Sequence, residues 1–341
     1  MLVLRAQLRL MPVVPARAIV LLGYPDSGSS GDDVPVVLKS GPMALEGFDS
    51  LVISYQQAKG LNLEAIEQLP DGPQAWLLVQ FGADTPDEAA EAARSFAQDA
   101  HGFPSQPTVT VFDGVAAQEQ MWQLREAALG ATAQVPGLPN MWSGWEDSAV
   151  APEKIGDYLR GLRALYAEFG FEAASLYGHY GQGCIHTRIP FDLVTAAGIG
   201  TFRQFMERAA RLVVSYGGSL SGEHGDGQSR AELLPIMYGP ELIQAFAQFK
   251  AIFDPENRMN PGKMAAPYRI DENLRLGTDY EPLQLATHFA FPHDEGSFDK
   301  AVLRCVGVGK CRRHEGGVMC PSYMVTREEE DSTPGKIPPA V

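Results

Sequence analysis

Hydrophobic positions in the first third of the chain alternate between short continuous runs and longer amphipathic stretches. The runs "AIVLLGY" (18–24), "AWLLVQFG" (75–82) and "PTVTVFDG" (107–114) are rich in branched and aromatic residues and read as strands. Between the first two, "ALEGFDSLVISYQQAKG" (44–60) reads as helical. "DTPDEAAEAARSFAQDAHG" (84–102) is a helix with Asp84 as N-cap, Pro86 and acids in its first turn, and Gly102 as its stop. "VAAQEQMWQLREAALGA" supplies another helix after the third strand. The alternation predicts an α+β fold, with helices on one face of a sheet.

A Pro/Gly/Trp-rich loop (135–152) separates this region from a helix whose apolar face carries Ile155, Tyr158, Leu159, Leu162, Leu165, Tyr166 and Phe169. "EAASLYGHYGQGCIHTRIPFDL" (172–193) reads as two strands around a glycine-rich turn. A second amphipathic helix buries Phe202, Phe205, Met206, Ala209, Leu212, Val213 and Tyr216, then runs into "GGSLSGEHGDG". A last helix, with Leu242, Phe246, Phe249 and Phe253, ends at "FDPENRMNPGKM". Past residue 270 or so the chain turns irregular and polar, and from 324 it reads as a solvated tail.

Composition narrows the function classes. At 341 residues there is length for two cores, or for one large core with an appendage. A net charge of −15 without any basic, aromatic-rich cluster argues against a nucleic-acid partner. The opening segment is interrupted by Arg5, Arg9, Pro12, Pro15 and Arg17, which argues against a membrane span or a signal peptide. Cys305, Cys311 and Cys320 crowd one short stretch instead of stapling distant segments, which fits a reducing, cytoplasmic setting.

Four constellations carry chemistry. "GHYGQGCIH" places His179 and His186 seven apart across glycines, so a hairpin could bring two imidazoles together, with Glu223 as a natural third ligand for a divalent metal. The alternative is a pair of hydrogen-bonded turn histidines. His224, next to Glu223, would stand ready to accept a proton from a hydroxyl on such a metal; its alternative is a helix-end histidine bonded to a carbonyl. Arg125 in "MWQLREA" suits carboxylate recognition, or is a solvated arginine beside a core Trp122. "CVGVGKCRRHEGGVMCPS" offers Cys305, Cys311 and Cys320 to an iron–sulfur cluster or zinc, but Val308 occupies the middle of the first run and free thiols are an equal alternative. No G-x-G-x-x-G follows a strand, so a dinucleotide-binding domain is not evident.

"GHYGQGCIHTR", "GGSLSGEHGDGQSR" and "FDPENRMNPGKM", in that order, resemble the C-terminal (cap) half of FAD-linked oxidases of the vanillyl-alcohol-oxidase type. The resemblance covers roughly residues 15–330. The branch includes D-lactate dehydrogenases, the glycolate oxidase flavin subunit and D-2-hydroxyglutarate dehydrogenase, and "RCVGVGKCRR…GVMCPSYMVTREE" narrows it to large fusions with an iron–sulfur module. It implies an antiparallel sheet covered by helices, in a ferredoxin-like cap domain, followed by an irregular cysteine-containing tail. By the resemblance, His179, His186 and Glu223 hold a divalent metal, zinc. His224 deprotonates the C2 hydroxyl of a D-2-hydroxy acid, Arg125 pairs with its carboxylate, and Asn260 lies against FAD.

The implied organisation is a cap and substrate domain with a closing flavin-side segment over 1–270, a linker and the start of an iron–sulfur module over 271–323, and a disordered tail over 324–341. The implied partners are a small 2-hydroxy acid, an FAD-binding half on a preceding segment or separate chain, and the iron–sulfur module, with self-association left open. The location is cytoplasmic, or peripheral to the inner face of the membrane. Three departures qualify the match. The flavin-binding half is expected before Met1, and the chain stops at "STPGKIPPAV", before the body of the iron–sulfur module; both suggest a fragment. Trp145 and Glu146 stand where hydroxyglutarate-type relatives carry a Lys. The rival readings are a zinc hydrolase using the same ligands, and a catalytically silent partner of a flavin-binding chain.

Overall fold

Strand β1 (Ala16–Tyr24) explains the layering. All of its residues except Arg17 are buried, and they serve two apolar clusters in alternation: Ala18, Val20, Leu22 and Tyr24 face one, Ile19 and Leu21 the other. A strand covered on both faces has to be apolar throughout, which is why "AIVLLGY" lacks a polar alternation. In this computed structural model, residues 4–282, 285–314 and 320–332 are described, and the chain divides into two units, Met1–Glu281 and Pro282–Val341.

The first unit runs β1, α1 (Ser27–Leu38), β2 (Ala44–Asp49), α2 (Ser50–Ala58), α3 (Leu63–Ile66), β3 (Ala75–Ala83), α4 (Pro86–Ala100) and β4 (Thr108–Phe112). It continues with α5 (Val115–Glu126), α6 (Ala128–Ala131), β5 (Ser148–Ala149), α7 (Ile155–Phe169), β6 (Ser175–His179), β7 (Cys184–Arg188), α8 (Ala196–Ser215), α9 (Gly227–Arg230) and α10 (Leu234–Phe253). The strands form one sheet in the order β4-β1-β3-β2-β6-β7-β5, antiparallel at every pairing. The expected α+β fold, an antiparallel sheet covered by helices, is therefore present.

Three local expectations are corrected. Helices cover both faces, not one: α1, α4, α7 and α8 contribute to the cluster under Val20 and Leu22, whereas α2, α3, α5 and α6 contribute Val52, Ile66, Met121, Leu124 and Ala128 to the cluster under Ile19 and Leu21. The stretch 44–60 is not one helix. Its first six residues pair with β3 as β2, and Asp49 ends the strand and caps α2 by accepting from the Val52 amide at 3.1 Å. The N-cap of α4 is Thr85 rather than Asp84, because Thr85 and Glu88 close a capping box.

Helix α1 arises from "SGSSGDDVPVVL", a composition poor in helix formers. Asp26 caps it, and its small residues serve a close crossing with α7: a Cβ on Gly31 would lie 2.6 Å from the backbone nitrogen of Gly156. Helix α10 is two helices joined at Gly239 (φ +76), just before Pro240, and it leaves Leu242, Phe249 and Phe253 exposed.

The second unit contains α11 (Phe298–Leu303) and α12 (Pro321–Thr326), with a short 3-10 turn at Glu329–Asp331. Within the regions read as a cysteine tail and a solvated tail, 315–319 and 333–341 lie outside the described residues. Among the described residues, no helix is long and apolar enough to cross a membrane.

Candidate active site

The hairpin β6–β7 sets the first two candidate ligands. Tyr177 pairs with His186 and His179 with Cys184, so the two histidines are diagonal neighbours on one face of the sheet. Their rings stand 5.5 Å apart and nearly perpendicular. The turn between them needs Gly183, which sits at φ +73 and whose Cβ would fall 1.8 Å from the Val150 carbonyl oxygen.

The loop after α8 brings the other half. Glu223 Oε1 lies 2.9 Å from His186 Nε2, and its Oε2 lies 3.7 Å from His179 Nε2. His224 stacks on His186 at 5.4 Å and places Nε2 3.2 Å from Glu223 Oε1. One ligand atom each from His179, His186 and Glu223 falls within 4.8 Å of the others. Two imidazoles and a carboxylate so gathered suit a divalent cation with an open coordination position. A second grouping, Glu146, His186 and His224, meets the same distance criterion and shares His186.

The loop is held from beneath by Asp147, a fully buried residue at φ +52. Its Oδ2 accepts from the backbone amides of Glu223 (3.0 Å) and His224 (2.7 Å) and from the Ser221 hydroxyl. Its Oδ1 is bound by Arg230, which also donates to the carbonyls of Leu220 and Gly225. Burial alone would raise the Asp147 carboxyl, but these hydrogen bonds and the Arg230 charge hold it below the usual carboxylate range.

Arg125, on α5, reaches the same face of the sheet with its guanidinium over the Tyr177 ring at 5.2 Å. Its Nε pairs with Glu46 Oε2 at 2.8 Å, and Glu46 Oε1 also meets His179 Nδ1 at 2.8 Å. Arg125 is therefore neither solvated nor isolated. The structure does not join Asn260 to this cluster: it lies exposed, at φ +49, in the segment after α10. Cys305 is exposed, Cys311 partly so, and Cys320 is buried. Among the described residues the three thiols do not form a common ligand group.

Motif reading missed Glu46, Glu146, Asp147 and Arg188. Glu146 Oε1 stands 3.4 Å from His224 Nδ1, and burial raises its carboxyl against the pull of Arg188, His224 and Arg230. Arg188 follows His186 by two on β7, so it shares that face, and it is buried with its Nε unpartnered. The period-2 alternation His186–Arg188 was the only signal that could have found it.

Protonation separates the two hairpin histidines. Burial, reinforced by the positive charge of Arg125 and by His179 and His224, lowers His186 from 6.5 to about 3, so it stays neutral. His179 is raised instead, first by its hydrogen bond to Glu46, with burial opposing. Between pH 6.5 and about 3 the unfolded chain binds a proton at His186 that the folded chain refuses, so stability falls as pH drops through that window. His179 acts oppositely: its contribution is complete below its unfolded pKa and is lost as pH rises through its raised value. In chelator-treated protein, denaturant midpoints should therefore fall less steeply on acidification for His186→Asn than for the parent. Equal slopes would remove His186 from this titration.

The family model for FAD linked oxidases, C-terminal domain, matches residues 14–264. D-2-hydroxyglutarate dehydrogenase of Pseudomonas putida is 29% identical over 98% of this chain and 34% of its own length. D-lactate dehydrogenase of Archaeoglobus fulgidus is 29% identical over 76% of this chain and 54% of its own. The glycolate oxidase subunit GlcD of Bacillus subtilis is 25% identical over 77% and 54%, respectively. The chain thus spans about a third of the length of the hydroxyglutarate relative and about half of the other two. With nearly three-quarters of its residues inside the family model, the chain belongs to the FAD linked oxidases, as their C-terminal domain.

Proposed function

We propose that this chain supplies the metal and substrate site of a flavin-dependent D-2-hydroxy-acid dehydrogenase of the D-2-hydroxyglutarate, D-lactate or glycolate class. The observation that carries the reading is the convergence of His179, His186 and Glu223, with His224 beside them. The donor set fits a divalent ion, zinc by its two imidazoles and one carboxylate. Such an ion supplies Lewis acidity toward the 2-hydroxy-carboxylate, and FAD supplies the acceptor for the hydride that leaves C2.

The chain's own residues do the rest. His186, held neutral by burial, and His179, whose Nδ1 meets Glu46, each turn Nε2 toward Glu223 as the ligating atom. Arg125 binds the substrate carboxylate and fixes its orientation. His224 Nε2 faces the ligand set and takes the hydroxyl proton, while Nδ1 faces Glu146. Loss of that proton and of the C2 hydride yields the 2-oxo acid. Asn260 belongs to the reading as a flavin contact, through an exposed side chain. Among the described residues, the thiols of Cys305, Cys311 and Cys320 are not gathered and do not fit a cluster on their own.

The test is anaerobic mixing of the chain, assembled with its flavin-binding half and loaded with FAD, with D-lactate, glycolate and D-2-hydroxyglutarate. Bleaching of the flavin by one of them, lost in His224→Ala, is the expected result. A protein that binds zinc but leaves flavin oxidised with all three is a silent partner. Ester or amide hydrolysis abolished by His186→Ala would make it a hydrolase.

A further inference from the structure

Glu46 belongs to none of the glycine-rich motifs, yet it touches both halves of the site. It lies on β2, where the pairs Gly47–Gly178 and Phe48–Tyr177 put it beside His179 on the face that carries Tyr177 and His186. Its side chain is 8% exposed, and a carboxylate so buried persists only with partners for its charge. It has two, one for each oxygen. Oε1 meets His179 Nδ1 at 2.8 Å, and Oε2 meets Arg125 Nε at 2.8 Å, the latter off the line of a straight hydrogen bond.

We propose that Glu46 is a positioning residue that couples the metal ligand to the substrate clamp, holding His179 with one carboxylate oxygen and Arg125 with the other. The inference rests on the functional reading above. Accepting from His179 Nδ1–H selects the tautomer whose Nε2 lone pair points toward Glu223. Pairing through Nε, with the guanidinium laid over Tyr177, holds Arg125 in place and leaves its two terminal nitrogens for a bidentate carboxylate. A displacement of Glu46 therefore moves both the cation and the anion end of the bound hydroxy acid. Substrate orientation between those ends is what hydride transfer requires.

Glu46→Gln tests this, because an amide can accept from one partner only and presents its NH2 to the other. Zinc affinity, measured by competition with a chromophoric chelator, is expected to fall roughly 10–100-fold. At saturating zinc, KM for the hydroxy-acid substrate should still rise, and Arg125→Gln should raise KM while changing zinc affinity less than Glu46→Gln does. Unaltered zinc affinity in Glu46→Gln overturns the proposal, even where the folded fraction drops, because Glu46 would then serve packing alone. If Glu46→Gln does not fold, Glu46→Asp keeps the charge but is too short to span both partners. A tenfold or greater loss of zinc affinity in it supports the coupling, and parental affinity overturns it. A parent protein that binds no zinc would instead overturn the ligand set itself.

Discussion

Glu223→Gln should strip the chain of most of its bound divalent metal. Among the described residues, Glu223 is the one carboxylate paired with both His179 Nε2 and His186 Nε2, at 3.7 and 2.9 Å. The amide keeps the shape but loses the charge that offsets a dication, and two neutral imidazoles are a weak site by themselves. Removing an outer hydrogen-bond partner typically costs about 10–100-fold in metal affinity, so loss of a direct ligand should reach about 100-fold or more. Metal analysis after gel filtration checks it, beside far-ultraviolet circular dichroism to show that the fold persists. Metal content equal to the parent's would take Glu223 out of the ligand set and leave the second grouping, Glu146 with His186 and His224, as the site.

The largest effect on stability is expected from Asp147→Ala. Its carboxylate is the common acceptor for Ser221, the amides of Glu223 and His224, and Arg230, whose side chain is only 4% exposed. Removing it leaves a buried guanidinium without its counter-charge and two part-buried amides without their acceptor. Breaking one side of a buried pair costs about 3–5 kcal/mol. Asp147→Asn, which keeps an acceptor oxygen, should cost less, and urea denaturation of the metal-free protein separates the two. An alanine variant within about 0.5 kcal/mol of the parent, the range of an ordinary surface change, would contradict the role assigned to Asp147. Because His224 hangs from the same carboxylate, the alanine variant should also lose flavin reduction when assayed well below its unfolding midpoint.

Chemistry was most legible where the chain is locally constrained. "GHYGQGCIH" announces a hairpin through its glycines, and hairpin pairing then dictates that residues 179 and 186 share a face. "GEHG" announces a loop, and the adjacent Glu223 and His224 do reach the same histidine. Arg125 was legible as a residue type but not as a partner, because nothing on α5 shows that β2 brings Glu46 to its Nε.

Elsewhere, periodicity misled for an identifiable reason. In "ALEGFD" the alternation is real, but one face is a site and carries Glu46, so the pattern lacks the apolar repeat that marks a strand. In α1 the glycines and serines argue against a helix, and the close approach of α7 explains the glycines: a Cβ on Gly31 would meet Gly156, and one on Gly28 the Arg160 side chain.

Strand identity in β1, the 3.6-residue faces of α7 and α8, and the residue types at the two glycine-rich motifs all follow from short-range pattern, since each depends on neighbours within a few positions. Which carboxylate serves which base does not. The contacts Glu46–His179, Glu46–Arg125, Glu146–His224 and Asp147–Arg230 join residues 78 to 133 positions apart in the chain, and the order β2-β6-β7-β5 helps to bring them together. Sheet order sets those meetings through the packing of apolar faces, and the polar contacts of the site are its consequence.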